Sequence, residues 1–356
     1  MPASDSSANA CSDELRGRLD ALVLTQLGVS IESVESVAAG LGSRHFFRLQ
    51  LSSRGTSAIA RVDMPEDPGL RPPGVAAEPS LEPIRAHLEA NGLPVPKRLA
   101  ACDGIELLED VGRLTLEDVA ANGESPERST LYGHAIDLIA LLQRAPADTS
   151  VPNYERHLDA TLLDYKAEQI CSWLIPSATG QAATLGEREA VGAAFGEIRR
   201  ACASAPSVLA HRDFKAQNLH VLAEGDPRGR LVMIDLQGAF LAPPEYDAVC
   251  LLRDLHVALP DSEVEALLAR LWPQLASEPP EQDFKRRFNL LTLSRAGKDL
   301  SRFLFAVHER GDERYRSFLP NGVRSLKAAA QALGDEPCIA DFSQILAALP
   351  EDACAR

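Results

Sequence analysis

SVLAHRDFKAQNLHVLAEGDPRGRLVMIDLQ, residues 207–237, is the stretch on which the fold turns. The apolar run 208–210 leads through His211 and Arg212 to Asp213. Asn218 stands five residues on, and Asp235 ends a second apolar run 22 residues after Asp213. Between them LHVLAE reads as another short strand, closed by the turn Gly225-Asp226-Pro227. Short strands that end on these residues gather three oxygen-bearing side chains at one sheet edge. Mg²⁺ takes oxygen ligands, and few of them from protein when phosphates supply the rest. Asp213, Asn218 and Asp235 are therefore candidates to hold such an ion, and a carboxylate left off the metal could accept a hydroxyl proton.

Outward from this core the periodicity divides the chain. Residues 1–12 are small and polar and read as a disordered tail. DELRGRLDALVLTQLG carries Leu15, Leu19, Leu22 and Val23 at helical spacing and stops at Gly28. Two β-rich runs follow, SVESVAAGLGSRHFFRLQLSS and TSAIARVDMP, with a glycine-containing bend at Gly40–Ser43. A Pro- and Gly-rich loop over 65–80 precedes a helix over Leu81–Asn91, and RLAACDGIELLEDVG reads as two strands turning at Asp103-Gly104. From Leu114 to about Ala205 the pattern is helical, including a long helix over YERHLDATLLDYKAEQICSWL. After Tyr246 it is helical to the end. These blocks predict an N-lobe over 13–108 made of sheet plus helix, a hinge over 109–112 and a larger lobe over 113–356.

Composition bounds the partners. Lys plus Arg number 36 against 51 Asp plus Glu, a formal charge of −15, which repels phosphodiester backbones and predicts no nucleic-acid partner. The same acidity suits either plain solubility or a cationic substrate. Seven scattered cysteines without C-x-x-C spacing imply neither a zinc site nor a disulfide framework. No apolar run reaches membrane-helix length, and MPASDSSANACSDEL has no basic start. A cytoplasmic protein with no membrane partner is the expectation, and a monomer.

HRDFKAQN matches the kinase catalytic-loop pattern H-R-D-x-x-x-x-N letter for letter, and Ile234-Asp235 stands where the metal-binding Asp follows. A protein-kinase reading fails elsewhere. GLGSRH lacks the third glycine of G-x-G-x-x-G, the lysine of V-A-I-K is Arg61 in AIAR, and APPE at 242–245 comes too soon for an activation loop. A small-molecule acceptor is the expectation.

Here the sequence resembles the aminoglycoside phosphotransferase (protein-kinase-like) superfamily, and within it the anomeric sugar kinases acting on N-acetylmuramate and N-acetylglucosamine. The likeness runs through AGLGSRHFFR (39–48), RVDMP (61–65), LLEDVG (107–112), HRDFKAQN, IDLQ, PEYDAVCLLRD (244–254), LSRAGKDLSRF (293–303) and RGDERYRSFLP (310–320). Departures fall at Leu41 and Gly238, acidic in most of that family, and at Ser294, where a Gln-Arg pair is expected. The resemblance implies an α+β, two-lobed, protein-kinase-like fold with a small antiparallel-sheet N-lobe and a larger, mainly helical C-lobe. It implies ATP and Mg²⁺ as cofactors, a sugar as the small-molecule acceptor, and a 1-phosphate product feeding peptidoglycan recycling. An aminoglycoside O-phosphotransferase and a nucleotide-binding scaffold without turnover are the competing readings.

Roles follow, each beside its plainer alternative. Asp213 orients or deprotonates the acceptor hydroxyl, Asn218 and Asp235 hold Mg²⁺ at the ATP phosphates, and Lys215 either points at the γ-phosphate or is a solvated lysine. Gly40, Gly42 and Ser43 either admit phosphates to backbone amides or form a tight hairpin. Arg61 either grips phosphate bidentately or is an exposed strand arginine, and its carboxylate partner would be Glu78 or Glu82. Glu109 to Val111 would meet adenine through backbone groups. His211 and Arg212 brace the loop, Gln237 is open between a supporting group and none, and Tyr246 and Asp247 anchor the next helix. Arg253, Arg295 and Lys298 either bind a carboxylated acceptor or line a solvated helix face. Trp173 either stacks on a sugar ring or packs in the core.

Overall fold

The computed structural model describes residues 11–37, 44–53, 55–63, 77–334 and 336–354. Gly40, Gly42 and Ser43, and most of the tail, lie outside the described residues. The chain forms two compact units, Met1–Pro73 with Val95–Arg113, and Gly74–Pro94 with Leu114–Arg356.

In the smaller unit, helix α1 (Asp13–Leu27) starts at an Ser12 N-cap and ends on left-handed Gly28, φ 70°. Strands β1 (Ile31–Val37), β2 (His45–Leu51), β3 (Ser57–Val62), β4 (Arg98–Cys102) and β5 (Ile105–Glu109) form an antiparallel sheet in the order β1-β2-β3-β5-β4. The first β-rich run is thus two strands. Leu19, Leu22 and Val23 pack on Phe47, Leu49, Ala58, Ala60, Ile105 and Leu107, the alternating faces that a half-buried sheet requires. The segment after β5 is tied back to the sheet through Asp110, which accepts from Arg48 Nε at 2.7 Å and Ser57 Oγ at 2.7 Å.

The larger unit opens with α2 (Leu81–Ala90), the helix that the sequence assigns to the smaller lobe. Side chains explain the grouping: Glu78 takes the Arg212 guanidinium at 2.8 Å, and His87 Nε2 lies 3.1 Å from the Tyr154 hydroxyl. Then come α3 (Leu116–Ala121), α4 (Pro126–Leu142), α5 (Ala160–Gln169), α6 (Ile175–Thr179) and α7 (Leu185–Ser204). Thr115 and Thr184 close capping boxes with Asp118 and Glu187. The long helix expected from Tyr154 starts instead at Ala160. Asp159 caps it, and His157 is drawn into a bridge with Leu241.

Two small antiparallel pairs carry the decisive stretch. Strand β6 (Val208–Ala210) pairs with β9 (Phe240–Ala242), and β7 (Leu219–Val221) with β8 (Leu231–Met233). Helices α8 (Tyr246–Leu252), α9 (Asp261–Leu271), α10 (Glu281–Arg310), α11 (Leu319–Leu333) and α12 (Ala340–Ala347) complete the unit. Among the described residues no helix is long and apolar enough to cross a membrane.

The loop after β6 hangs on Asp247 of α8, whose carboxylate accepts the backbone N–H of His211 at 2.7 Å and of Arg212 at 3.1 Å. Burial pushes this carboxyl up to about 6, against His211 and the two N–H groups, which favour the charged form. Asp247→Ala strands two buried donors and should cost about 3–4 kcal/mol of stability, with Asp247→Asn costing less, as read by urea denaturation.

Candidate active site

Asp213 lies three residues past β6, on a loop that Arg212 enters with φ 77°. Positive φ is costly for a side chain of arginine's size, and the loop's groups are pinned around it. Asp247 takes two of its N–H groups, and the Arg212 carbonyl accepts from Cys250 Sγ at 3.1 Å and from Arg295 Nη1 at 2.9 Å. His211 is buried and its Nε2 lies 2.8 Å from the Ile234 carbonyl, which makes that nitrogen the protonated one and ties the loop to the end of β8.

Arg295, in the middle of α10, is 4% exposed and spends its donors on three acidic or carbonyl oxygens. Nη2 donates to Asp213 Oδ1 at 2.6 Å, Nε to Asp299 Oδ2 at 2.9 Å, and Nη1 to the Arg212 carbonyl. Asp299 also pairs with Lys298, and its Oδ2 is 3.9 Å from Lys215 Nζ. Asp213 retains a third of its side-chain exposure. Burial would raise its carboxyl, but Arg295, Arg212, Lys215 and Lys298 outweigh this and hold it far below the usual carboxylate range. Burial likewise opposes ionisation of Asp299, and Arg295, Lys298 and Lys215 overcome it.

Asn218 is buried at the end of a short 3₁₀ turn. Its Nδ2 donates to the Asp213 carbonyl at 2.8 Å, which leaves Oδ1 as the outward acceptor. The Ile234 N–H bonds the Asn218 carbonyl at 3.0 Å, so β7 and β8 bring Asn218 and Asp235 to neighbouring strand ends. Asp235 sits at φ 64°, and its Oδ1 accepts from Gln237 Nε2 at 2.5 Å. Asn153, wholly buried, holds the turn beyond it by donating to the carbonyls of Gln237 and Ala239. An amide oxygen with its nitrogen already committed, beside a carboxylate with one oxygen bound, is a donor set that suits Mg²⁺.

Among the other expected residues, Arg295 and Lys298 join the Asp213 cluster. Arg253 does not: it pairs with Asp261 at 2.7 Å and covers the Phe288 ring. Trp173 stands edge-on to Phe305 and lines a cavity of about 720 Å³ with His308 and Cys354, in which Asp213 has no part. In the smaller unit Arg61 is 3% exposed rather than solvated, and its carboxylate partners within that unit are Glu106 and Asp63. Glu106 is its direct cross-strand neighbour on β5, while Glu82 is held by Arg85 on its own helix. Glu109 closes β5 with its N–H on the Lys97 carbonyl at 2.8 Å, and Val111 follows it.

Asp299 went unread in the sequence, although RAGKD places it four residues after Arg295 on one helix face. So did Lys166, which is 3% exposed and donates to the Tyr246 hydroxyl at 3.2 Å. That hydroxyl is also 3.4 Å from Arg295 Nη1. Burial, with Arg295 nearby, lowers the Lys166 ammonium to about 8.

The chain is similar to known proteins in the same sense. A "Phosphotransferase enzyme family" model matches residues 34–281. An N-acetylmuramate/N-acetylglucosamine kinase of Pseudomonas aeruginosa is 28% identical over 324 residues, covering 87% of this chain and 86% of that one. One of Caulobacter vibrioides is 32% identical over 251 residues, 65% of each chain. Among solved structures, a choline/ethanolamine kinase family protein from Mesorhizobium loti has a TM-score of 0.56 at 14% identity, covering 95% of this chain and 99% of that one. A mutant aminoglycoside 2'-phosphotransferase in complex with GDP has a TM-score of 0.55 at 16% identity, covering 90% and 99%. The α+β fold is therefore protein-kinase-like, and with the family match spanning well over half its length the chain belongs to the phosphotransferase enzyme family as a small-molecule kinase.

Proposed function

We propose that this phosphotransferase moves the γ-phosphate of ATP to a sugar hydroxyl, the anomeric hydroxyl of an N-acetylmuramate or N-acetylglucosamine type of amino sugar. The observation that carries the reading is the ionised Asp213 carboxylate, fixed by Arg295 at the end of an H-R-D-x-x-x-x-N loop whose asparagine is already oriented. The choice of acceptor is supported by the relatives that match most of the chain.

In this reading the acceptor hydroxyl donates to Asp213, whose free oxygen aligns it for in-line attack on the γ-phosphorus. The O–P bond to the acceptor forms as the bond to the ADP leaving oxygen breaks, and the hydroxyl proton passes to Asp213. Phosphoryl transfer of this kind is largely dissociative, so a carboxylate held far below its ordinary pKa serves as an orienting group, and the proton moves late. Asn218 Oδ1 and Asp235 would hold Mg²⁺, which supplies charge neutralisation on the phosphates when bound. Lys215, kept charged by Asp299 and Asp254 against burial, offers its ammonium to the transferring phosphoryl oxygens. Arg295 acts through Asp213 and is a positioning residue. Arg61, committed to Glu106 and Asp63, belongs to the sheet's own support, and Glu109 to Val111 are the backbone candidates for adenine.

ADP release with N-acetylmuramate, N-acetylglucosamine, aminoglycosides, choline or no acceptor tests the reading. Turnover with the amino sugars and a phosphate on the anomeric oxygen supports it. Turnover confined to aminoglycosides or choline moves the acceptor, and nucleotide binding without any turnover leaves a scaffold.

Two variants test the roles. Asp213→Ala should lower kcat by about 10³-fold or more while ATP affinity stays within about threefold, as general-base losses usually do; Asp235→Ala should weaken Mg²⁺-dependent nucleotide binding instead. Arg295→Met removes the main cation that holds Asp213 down, so burial then raises that carboxyl. Asp213 stays ionised throughout pH 4.5–8 in the wild type, so an acid limb of kcat absent from the wild-type profile should emerge at the low-pH end in the variant. Identical pH profiles in a folded variant would refute the positioning role.

A further inference from the structure

Arg212 stands directly before Asp213 at φ 77°, and three parts of the larger unit hold it. Asp247 of α8 takes its backbone N–H at 3.1 Å. Cys250 of α8 and Arg295 of α10 donate to its carbonyl at 3.1 and 2.9 Å. Its guanidinium goes to Glu78, three residues before α2, with Nη1 donating to Oε1 at 2.8 Å. Both side chains of this pair keep less than a third of their exposure, 24% for Arg212 and 30% for Glu78.

The pair lies against the turn that follows Asp235. A Cβ added at Gly238, the last residue of that turn, would stand 3.4 Å from Arg212 Nη1 and 3.5 Å from Glu78 Oε1. Both are ordinary contact distances, and Gly238 lies outside the left-handed region, so its backbone accepts a side chain. Arg156, whose carbonyl accepts the Leu241 N–H at 2.7 Å, brings a second guanidinium to the neighbourhood. Burial and Arg212 disfavour its charge, and Glu78 favours it.

The Glu78 contact bears on Asp213 through the intervening arginine. A guanidinium released from Glu78 is drawn to an ionised carboxylate within its reach, and Asp213, its neighbour in the chain, is one. Arg295 occupies Oδ1 of Asp213. Were Arg212 to take the other oxygen, the acceptor hydroxyl would lose its partner.

We propose that Glu78 is a positioning residue for phosphoryl transfer, holding the Arg212 guanidinium away from Asp213 so that one Asp213 oxygen stays open to the acceptor hydroxyl. The proposal rests on Asp213 as the group that orients the acceptor, and it holds whichever acceptor that is. What the geometry demands is a carboxylate on Arg212 rather than a glutamate at 78. Position 238 is a second place from which one can be supplied. A half-exposed ion pair adds little to stability, so its loss is read in turnover.

The test uses the acceptor that the wild type turns over. kcat, both KM values, ATP affinity by calorimetry and Tm are measured for wild type, Glu78→Gln, Glu78→Gln/Gly238→Asp and Asp213→Ala. Glu78→Gln should lose about 10- to 30-fold in kcat, with ATP affinity within about threefold and Tm within about 2 °C of wild type. The double variant should recover kcat to within about threefold of wild type, a rescue that a merely structural loss at 78 does not allow. Unchanged kcat in Glu78→Gln, equal falls in kcat and ATP affinity, or a folded double variant as slow as the single one would overturn the positioning role and leave the phosphotransfer reading in place. Retained turnover in Asp213→Ala would sink both. Where the double variant does not fold, Glu78→Gln is measured again in Arg212→Met, which has no guanidinium left to move. No further loss there supports the proposal, and a loss beyond about threefold refutes it.

Discussion

A buried guanidinium cannot be left half matched, and Arg295 organises the larger unit around that constraint. Its planar fork reaches Asp213, Asp299 and the Arg212 carbonyl at once, so helix α10, the loop after β6 and the charge state of the candidate base are fixed by one side chain. The chemical consequence is a weak base. A carboxylate held in its ionised form by four cations takes up a proton reluctantly, which suits a transfer in which the acceptor must be aimed long before it is deprotonated.

The same loops carry local strain. Arg212 and Asp235 both sit at positive φ, one at the entry to each half of the motif. Their surroundings offset it separately: Asp247, Cys250 and Arg295 hold the backbone at Arg212, whereas Asn153 and Gln237 hold the turn after Asp235. Neither turn would keep its shape alone. The bond from His211 Nε2 to the Ile234 carbonyl couples them, so Asp213, Asn218 and Asp235 share one framework.

What the sequence disclosed was mostly local. HRDFKAQN and IDLQ carry their chemistry in adjacent letters, and the strands and helix stops around them follow from short-range alternation and glycine. Pairings that depend on register were out of reach. Arg61 meets Glu106 because β3 lies against β5 across 45 residues, and no spacing rule points there. The helix expected over 154–159 gave way because His157 bridges to Leu241, a tertiary contact that overrides periodicity. Asp299 and Lys298 look in sequence like any charged helix face, and only the buried company of Arg295 shows otherwise, although the i,i+4 spacing was there to be read.

Lys215 draws these threads together. Its ammonium lies 3.9 Å from Asp299, too far for a hydrogen bond, with Asp254 as a further attracting charge. Such a lysine is held in place by field rather than by a fixed partner. It stays charged despite burial, yet it has donors to give without first breaking a short ion pair, which is the state a phosphate-binding lysine needs at the moment of transfer. Tight pairing would have spent those donors, and a purely apolar setting would have stripped the proton. The carboxylates around Lys215 therefore keep it charged without tying up its ammonium in a short ion pair.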